Sequence, residues 1–374
     1  LMTAATPSPV RLYTLDALRG IAALCVVFWH WQHFFYVGSD PSGLVVSQQP
    51  FYQWLTPLYH HGGMAVQLFF TISGFVFFWL FSRGIADRSI RPTAFAWDRF
   101  SRLYPLHIVT FALVAGLQLM YADDHDSYFV YAFNDVYHAV LNLFLAPAWG
   151  LEKGWSFNAP VWSVSVEVLL YGSFFLVCLA GRWRWVLAVG GCGLGAWLYP
   201  ESYKIGSGLL CFYIGGITYG LVECLRRQVG DRVCVAITTV ACLGAWGCLV
   251  YGMDVAMDNL LIGLCFPLTL AMLAAAGHCW PNLMRSCAWL GDISYSSYLL
   301  HFPLQIVFAM AVDGMGLSRS IFYHGWTMLL FFAVLVPISM LGHRMLERPA
   351  QRFLRQRMGE DVGVSRRSER SAIG

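Results

Sequence analysis

Charged residues vanish from this chain for long stretches, repeatedly, and that pattern limits its fold more than any other feature. Apolar runs of about 15 to 24 residues fall near 15–37, 64–82, 103–121, 160–180, 185–199, 205–225, 233–252, 259–277, 289–312 and 321–342. A water-soluble domain has too little interior to hide ten of them, with 58% of the 374 residues hydrophobic and 12% charged. In a bilayer core every backbone N–H and C=O must find a partner inside the protein, so each run is expected as a helix. The chain reads as an all-α integral membrane protein of about ten transmembrane helices. A further apolar piece, 137–148, is too short to cross and ends in Ala146-Pro147-Ala148, so a re-entrant or interfacial segment is expected there.

Charge placement predicts the orientation. Arg83, Arg88, Arg91, Arg99 and Arg102 crowd one loop; Arg182, Arg184, Arg226, Arg227 and Arg232 mark later ones; Arg344, Arg348, Arg352, Arg355 and Arg357 follow the last run. The alternate loops carry Asp40, Asp123, Asp124, Asp126, Glu201, Asp254, Asp258 and Asp313, with Lys153, Lys204 and Arg319 as their basic residues. By the positive-inside rule both termini are cytoplasmic, in a multi-pass protein of the inner, cytoplasmic membrane. No small-residue cleavage site follows the first run, so it is expected to serve as an uncleaved signal. Residues 1–10 read as a polar leader, 11–357 as one membrane domain, and 358–374, rich in Ser, Arg and Glu, as a disordered cytoplasmic tail. The eleven cysteines are scattered singly without a CxxC pair, so they read as small hydrophobes rather than zinc ligands or a disulfide framework. The lipid bilayer is the one partner that composition implies; nothing calls for nucleic acid.

Ionisable residues inside such runs are expensive and mark function by default. Arg19 and His30 stand in the first run with ten residues between them. Eleven steps of about 100° return to nearly the same azimuth, so on one α-helix both point the same way, roughly 16 Å apart along the axis. Asp16 lies one turn before Arg19 on that stripe. A basic group near one membrane face and an imidazole deep in the span suggest one active site reached from two sides.

Six blocks stand in order along the chain: Leu15-Asp16-Ala17-Leu18-Arg19-Gly20 running on to His30; Phe69-Phe70-Thr71-Ile72-Ser73-Gly74-Phe75; Arg99-Phe100-Ser101-Arg102-Leu103-Tyr104-Pro105; Trp162-Ser163-Val164-Ser165-Val166-Glu167 with Tyr171; Ile293-Ser294-Tyr295-Ser296-Ser297-Tyr298-Leu299-Leu300-His301-Phe302-Pro303; and Glu347-Arg348-Pro349. Together, over about residues 10 to 355, they closely resemble the acyltransferase-3 family of integral-membrane O-acyltransferases, whose Arg–ten residues–His pattern falls on Arg19 and His30 without gaps. The resemblance implies transfer of an acyl group, commonly acetyl from cytoplasmic acetyl-CoA, to a hydroxyl on a sugar or related acceptor, in many members on the far face of the membrane. It implies acyl-CoA as a donor substrate rather than a bound cofactor, and a glycan or glycolipid as acceptor, or a small metabolite such as a macrolide.

The residues suit that chemistry. Esterifying a hydroxyl needs a base, and imidazole titrates in the right range, which makes His30 the candidate base; a buried imidazole bonded to a neighbouring helix is the plainer alternative. Glu167, an acid at membrane depth, is the second catalytic candidate. It either orients an imidazole, binds an acceptor hydroxyl, or forms a packing salt bridge with an arginine. Arg99 and Arg102, spaced for one helical face, suit the phosphates of CoA or serve as a topology anchor. Arg19 shares in holding the donor or pairs with Asp16. Trp162, Ser163, Tyr298 and His301 complete the candidate substrate-binding set, although tyrosines one turn apart are also ordinary packing partners. Nothing resembles a nucleophile elbow at Ser163 or Ser165, so direct transfer is the simpler expectation than an acyl-enzyme. His33 is expected to be structural or substrate-lining, Glu347 to hold the last helix by an ion pair, and His60 and His61 lack a third spaced metal ligand. The competing class is a transporter with a buried His/Glu/Arg path. The Arg-x-x-Arg pair tells the two apart, because an acyltransferase needs it for CoA and a transporter does not.

Overall fold

The computed structural model describes residues 11–251 and 257–357. The expected leader 1–10, the expected tail 358–374 and Asp254 lie outside the described residues. In chain order the helices are α1 (Tyr13–Trp29), α2 (Tyr52–His61), α3 (Ala65–Leu80), α4 (Ser82–Ala86), α5 (Pro92–His125), α6 (Val136–Leu143), α7 (Trp162–Leu179), α8 (Arg184–Leu198), α9 (Tyr203–Val229), α10 (Asp231–Tyr251), α11 (Met257–Leu260), α12 (Phe266–Cys279), α13 (Ala288–Gly314) and α14 (Gly325–Gly342). Strand among the described residues is confined to β1 (Tyr36–Val37) and β2 (Asp40–Pro41), an antiparallel pair in which Tyr36 faces Pro41.

Eight helical stretches of the described residues are long and apolar enough to cross a membrane. The runs 15–37 and 185–199 are not among these eight. α8 has 15 residues, about 22 Å of rise against a hydrocarbon core of about 30 Å, and α1 has 17 before the winding changes to the 3₁₀ helix His30–Phe35. Others are longer than their apolar runs. α2 and α3 join through a 3₁₀ turn into Tyr52–Leu80, and α5 reaches 34 residues. α5 opens on Pro92, where a missing N–H costs nothing, and stops at Asp126, whose φ of +55° ends the helix. The 137–148 piece forms only the eight-residue α6, opened by Asp135, whose carboxylate accepts the His138 backbone N–H at 2.8 Å.

The chain divides into two compact units. The first takes the described residues of Leu1–Ala22 with Met64–Ser89 and Ser173–Asp292. Its core gathers Leu12, Leu15, Ile72, Phe75, Val222, Leu270 and Ala274. α3 and α9 cross there backbone to backbone: a Cβ added at Gly74 would lie 1.8 Å from Phe212 O, and one at Gly215 would lie 1.9 Å from Thr71 O. Without a hydrophobic drive between helices in lipid, such close approach through small residues is what holds them. Asp16 and Arg19 lie in this unit. A Cβ on Gly20 would meet Leu290 Cβ at 2.4 Å, and one on Gly291 would meet Asp16 O at 2.6 Å, so the start of α1 lies tight against the start of α13.

The second unit takes Ala23–Gly63, Ile90–Gly172 and the described residues of Ile293–Gly374. Its core is aromatic, with Trp31, Phe34, Phe129, Phe302, Phe322 and Phe331 all almost fully buried. From His30 to Phe35 the chain tightens into a 3₁₀ helix in which every residue but Gln32 is buried. That segment is pinned by Trp31 Nε1, which donates to Phe322 O at 3.0 Å, and by Phe34 stacked on Phe322 at 3.8 Å.

Candidate active site

Three residues per turn place His30 and His33 one above the other, and their ring centroids lie 4.6 Å apart. α13 brings two polar side chains to this pair. His301 Nε2 lies 3.0 Å from His30 Nδ1, with the ring planes 16° apart. Gln305, one turn on, donates from Nε2 to His30 O at 2.8 Å, and its Oε1 lies 3.1 Å from His33 Nδ1. Because the amide nitrogen is committed to a carbonyl, Oε1 is the acceptor and His33 Nδ1–H the donor. Tyr131 Oη stands 3.5 Å from His33 Nε2. His301 and Gln305 are fully buried, and His30 keeps 7% exposure. Among the described residues no group hydrogen-bonds His30 Nε2.

The turn of α13 below His301 is opened by sequence. Pro303 has no N–H to give the carbonyl of Leu299, four residues back. Asn158 fills the gap, donating from Nδ2 at 2.9 Å. His301 Nδ1 bonds Tyr298 O at 2.7 Å, and Tyr298 Oη donates to Pro160 O at 2.8 Å. Ser163 Oγ lies 2.8 Å from Tyr298 Oη, and Ser165 Oγ accepts the Ala148 N–H at 3.2 Å. Neither serine hydroxyl hydrogen-bonds an imidazole among the described residues. Trp162 lies 6.4 Å from Trp155, ring centroid to centroid, nearly edge-on. The loops beside the site contain two bulky left-handed residues, Val130 (φ +61°) and Phe157 (φ +46°), flanking Tyr131 and Asn158. Such backbone costs on the order of 1–3 kcal/mol each and persists only where neighbours insist on it. Here Gln118 clamps Phe129 through both its N–H and C=O, and Asn134 Oδ1 accepts the Phe157 N–H at 2.6 Å.

A second polar group in the same unit surrounds Arg102. Its guanidinium hydrogen-bonds nothing among the described residues, while Tyr171, Glu347, Glu167 and Asp98 lie close enough to attract its charge. Tyr171 also hydrogen-bonds Glu167. Glu347 sits in a π-helical turn, His343–Glu347, accepting from Ser296 Oγ at 2.9 Å and from His343 Nδ1 at 3.0 Å. Arg99 pairs with Asp98, which Arg355 also meets.

The sequence candidates therefore separate. His30, His301 and Tyr298 lie together, with Ser163 on Tyr298. Glu167, for which an imidazole, an acceptor hydroxyl and an arginine were all open, hydrogen-bonds Tyr171 and lies near Arg102, while His30 Nδ1 faces His301. Asp16 and Arg19 belong to the other unit. There Arg19 donates to Gly291 O at 2.7 Å and lies 3.6 Å from Asp16, which also takes Arg11 at 2.5 Å. Arg19 stands within α1, which ends at Trp29, and His30 opens the 3₁₀ helix that follows. Glu347 is held by Ser296 and His343 rather than by a hydrogen-bonded arginine. Sequence reading passed over Gln305 and Asn158. Gln305 had a signal, a buried amide one turn beyond His301 in an apolar run; Asn158 needed the knowledge that Pro303 leaves a carbonyl to satisfy.

A family model described as "Acyltransferase domain" matches residues 12–342, almost the whole described chain. The chain belongs to the acyltransferase-3 family. It is 27% identical over 320 residues to the exopolysaccharide production protein ExoZ of Rhizobium meliloti, covering 80% of this chain and 93% of that protein. It is 33% identical over 177 residues to the acyltransferase MdmB of Streptomyces mycarofaciens, covering 45% of this chain. It is 36% identical over 108 residues to protein 2 in the picA locus of Rhizobium radiobacter, covering 29% of this chain. The matches span less than half the length of the last two, 39% and 46%. No solved structure matches the chain. With the apolar helices, family membership makes this a multi-pass membrane protein of that family.

Proposed function

We propose that the protein transfers an acyl group, acetyl foremost, from cytoplasmic acyl-CoA to a hydroxyl of an envelope or exported glycan or glycolipid, with His30 as general base. The observation that carries this is the imidazole pair: His30 Nδ1 faces His301 while Nε2 hydrogen-bonds nothing among the described residues. His30 Nε2 takes the acceptor's hydroxyl proton as that oxygen bonds to the thioester carbonyl carbon. The C–S bond then breaks, and the departing thiolate takes the proton back from His30. An ester and CoA thiol result, and the imidazole returns neutral. Arg102, its donors unspent, and Arg99 are the groups for the CoA phosphates. Glu167 and Glu347 balance the Arg102 charge when the donor is away. The likeness to a protein named for exopolysaccharide production supports a glycan acceptor. Inner-membrane residence with both termini cytoplasmic rests on the arginine-rich loops.

Ester-linked acetyl content of envelope glycans tests this in three strains of the host: a deletion, the deletion restored with wild type, and the deletion restored with His30→Ala. Loss in the deletion and recovery with wild type alone is the expected result. Removing a general base lowers rate by about 10²–10⁴-fold. Recovery with His30→Ala would exclude His30 as the base, and unchanged esters in the deletion would exclude the glycan acceptor.

A further inference from the structure

A base must offer a lone pair, and a lone imidazole is free to place its single proton on either nitrogen. Around His30 that freedom is removed by one backbone carbonyl. Tyr298 O can only accept, so the 2.7 Å contact from His301 Nδ1 is an N–H donated by the ring. A neutral imidazole has one N–H, which leaves the lone pair of His301 on Nε2. His30 Nδ1, 3.0 Å away, must then be a donor. With its proton fixed at Nδ1, His30 carries its lone pair at Nε2, the nitrogen that no described group engages.

We propose that His301 is a positioning residue that locks His30 in its Nδ1–H tautomer and steadies the ring when it takes the substrate's proton. This rests on His30 being the base. The lock is braced from both sides. Gln305 Nε2 holds the His30 carbonyl at 2.8 Å, fixing the backbone that carries the ring. Asn158 holds the Leu299 carbonyl that Pro303 leaves unpaired, which steadies the turn from which His301 reaches Tyr298 O. His33, bonded through Nδ1–H to the same glutamine, adopts the same tautomer in parallel.

Purified full-length protein in lipid nanodiscs, supplied with acetyl-CoA and an acceptor glycan, tests the lock through His301→Leu and His301→Gln. His301→Leu removes the acceptor for His30 Nδ1–H. It is expected to lower kcat toward, and no further than, the roughly 10²–10⁴-fold that loss of the base itself costs, with the KM for acetyl-CoA within about twofold. His301→Gln can accept that N–H again and is expected to recover at least about tenfold of the loss. Solid-state ¹⁵N NMR of histidine-labelled wild type reads the tautomer without any variant having to fold: His30, assigned by its absence in His30→Ala, should show a protonated Nδ1 and a bare Nε2. A protonated His30 Nε2 in the wild type overturns the proposal. So does a His301→Leu protein with wild-type kcat, or equal loss in both variants with the tautomer unchanged. Activity retained in His30→Ala sinks the base reading itself. An inactive His30→Ala beside an unaffected His301→Leu sinks only the lock.

Discussion

Substituting alanine for Gly74 tests how the first unit is held together, and the cost follows from the crossing geometry. A Cβ at Gly74 would sit 1.8 Å from Phe212 O, against the 3.0 Å that real Cβ atoms respect. α3 and α9 must therefore part by about 1.2 Å at the crossing, because a backbone carbonyl, unlike a flexible side chain, cannot swing aside. Overpacking of this kind costs about 1–3 kcal/mol, and a backbone obstacle argues for the upper end. Alanine's helix propensity returns about 1 kcal/mol, so a net loss of about 2 kcal/mol is expected. Gly215→Ala, whose Cβ would lie 1.9 Å from Thr71 O on the same crossing, should cost the same. The double variant should cost well below the additive value of about 4 kcal/mol, because helices parted for one methyl have already made room for the other. Gly193→Ala, with nothing within 4 Å, is the control and should be neutral or slightly stabilising. Unfolding midpoints in one detergent, followed by tryptophan fluorescence, measure all four. A Gly74→Ala protein as stable as wild type, or strict additivity in the double variant, would refute the close-packed crossing.

Asn158→Leu leaves the Leu299 carbonyl buried without a donor and should cost about 1–3 kcal/mol by thermal unfolding, with kcat falling further than KM rises. Arg102→Ala should raise the KM for acetyl-CoA about 10- to 100-fold while leaving the KM for the glycan unchanged; an unaltered donor KM would remove Arg102 from the phosphate site. Asp135 accepts the backbone N–H and then the ring N–H of His138, and these bonds hold its carboxyl below the usual carboxylate range. A depressed value means the stabilisation is present above the unfolded-chain value of about 4 and is lost as pH falls through the lower folded value. Asp135→Asn, which can still cap α6 through its carbonyl oxygen, should flatten the acid limb of a stability–pH curve below about pH 4, and an unchanged limb would show that the cap carries no titratable stabilisation.

Much of the site was legible from where polarity interrupts apolar runs. His30, Glu167 and His301 stand out because a bilayer charges heavily for each of them, and the arginines of the loops announce themselves by number. What the runs did not reveal was partnership. Glu167 was a reasonable orienter for an imidazole on grounds of chemistry, yet the neighbour of the His30 ring is a second imidazole, 271 residues away in the chain. Arg19 and His30 looked like a pair because an ideal helix returns their azimuth, and the structure gives them different partners, Gly291 O and Asp16 for Arg19 and His301 for His30. The run at 185–199 was expected as a full span from its hydropathy, whereas α8 stops at 15 residues.

Run length alone made the chain helical and membrane-embedded, because continuous apolar segments of about 20 residues fit a helix that pairs its own backbone groups in lipid, whereas a barrel strand needs only about 9–11. The sequence determined the family too, since six blocks in register are a property of order along the chain. Which nitrogen of His30 meets His301 came from packing alone. A tautomer depends on the donor or acceptor character of whatever lies about 3 Å from each ring atom, and here that chain of dependence runs through His301 to a single carbonyl at Tyr298. Spacing in sequence carries no information about such contacts, because α13 brings them to His30 through packing.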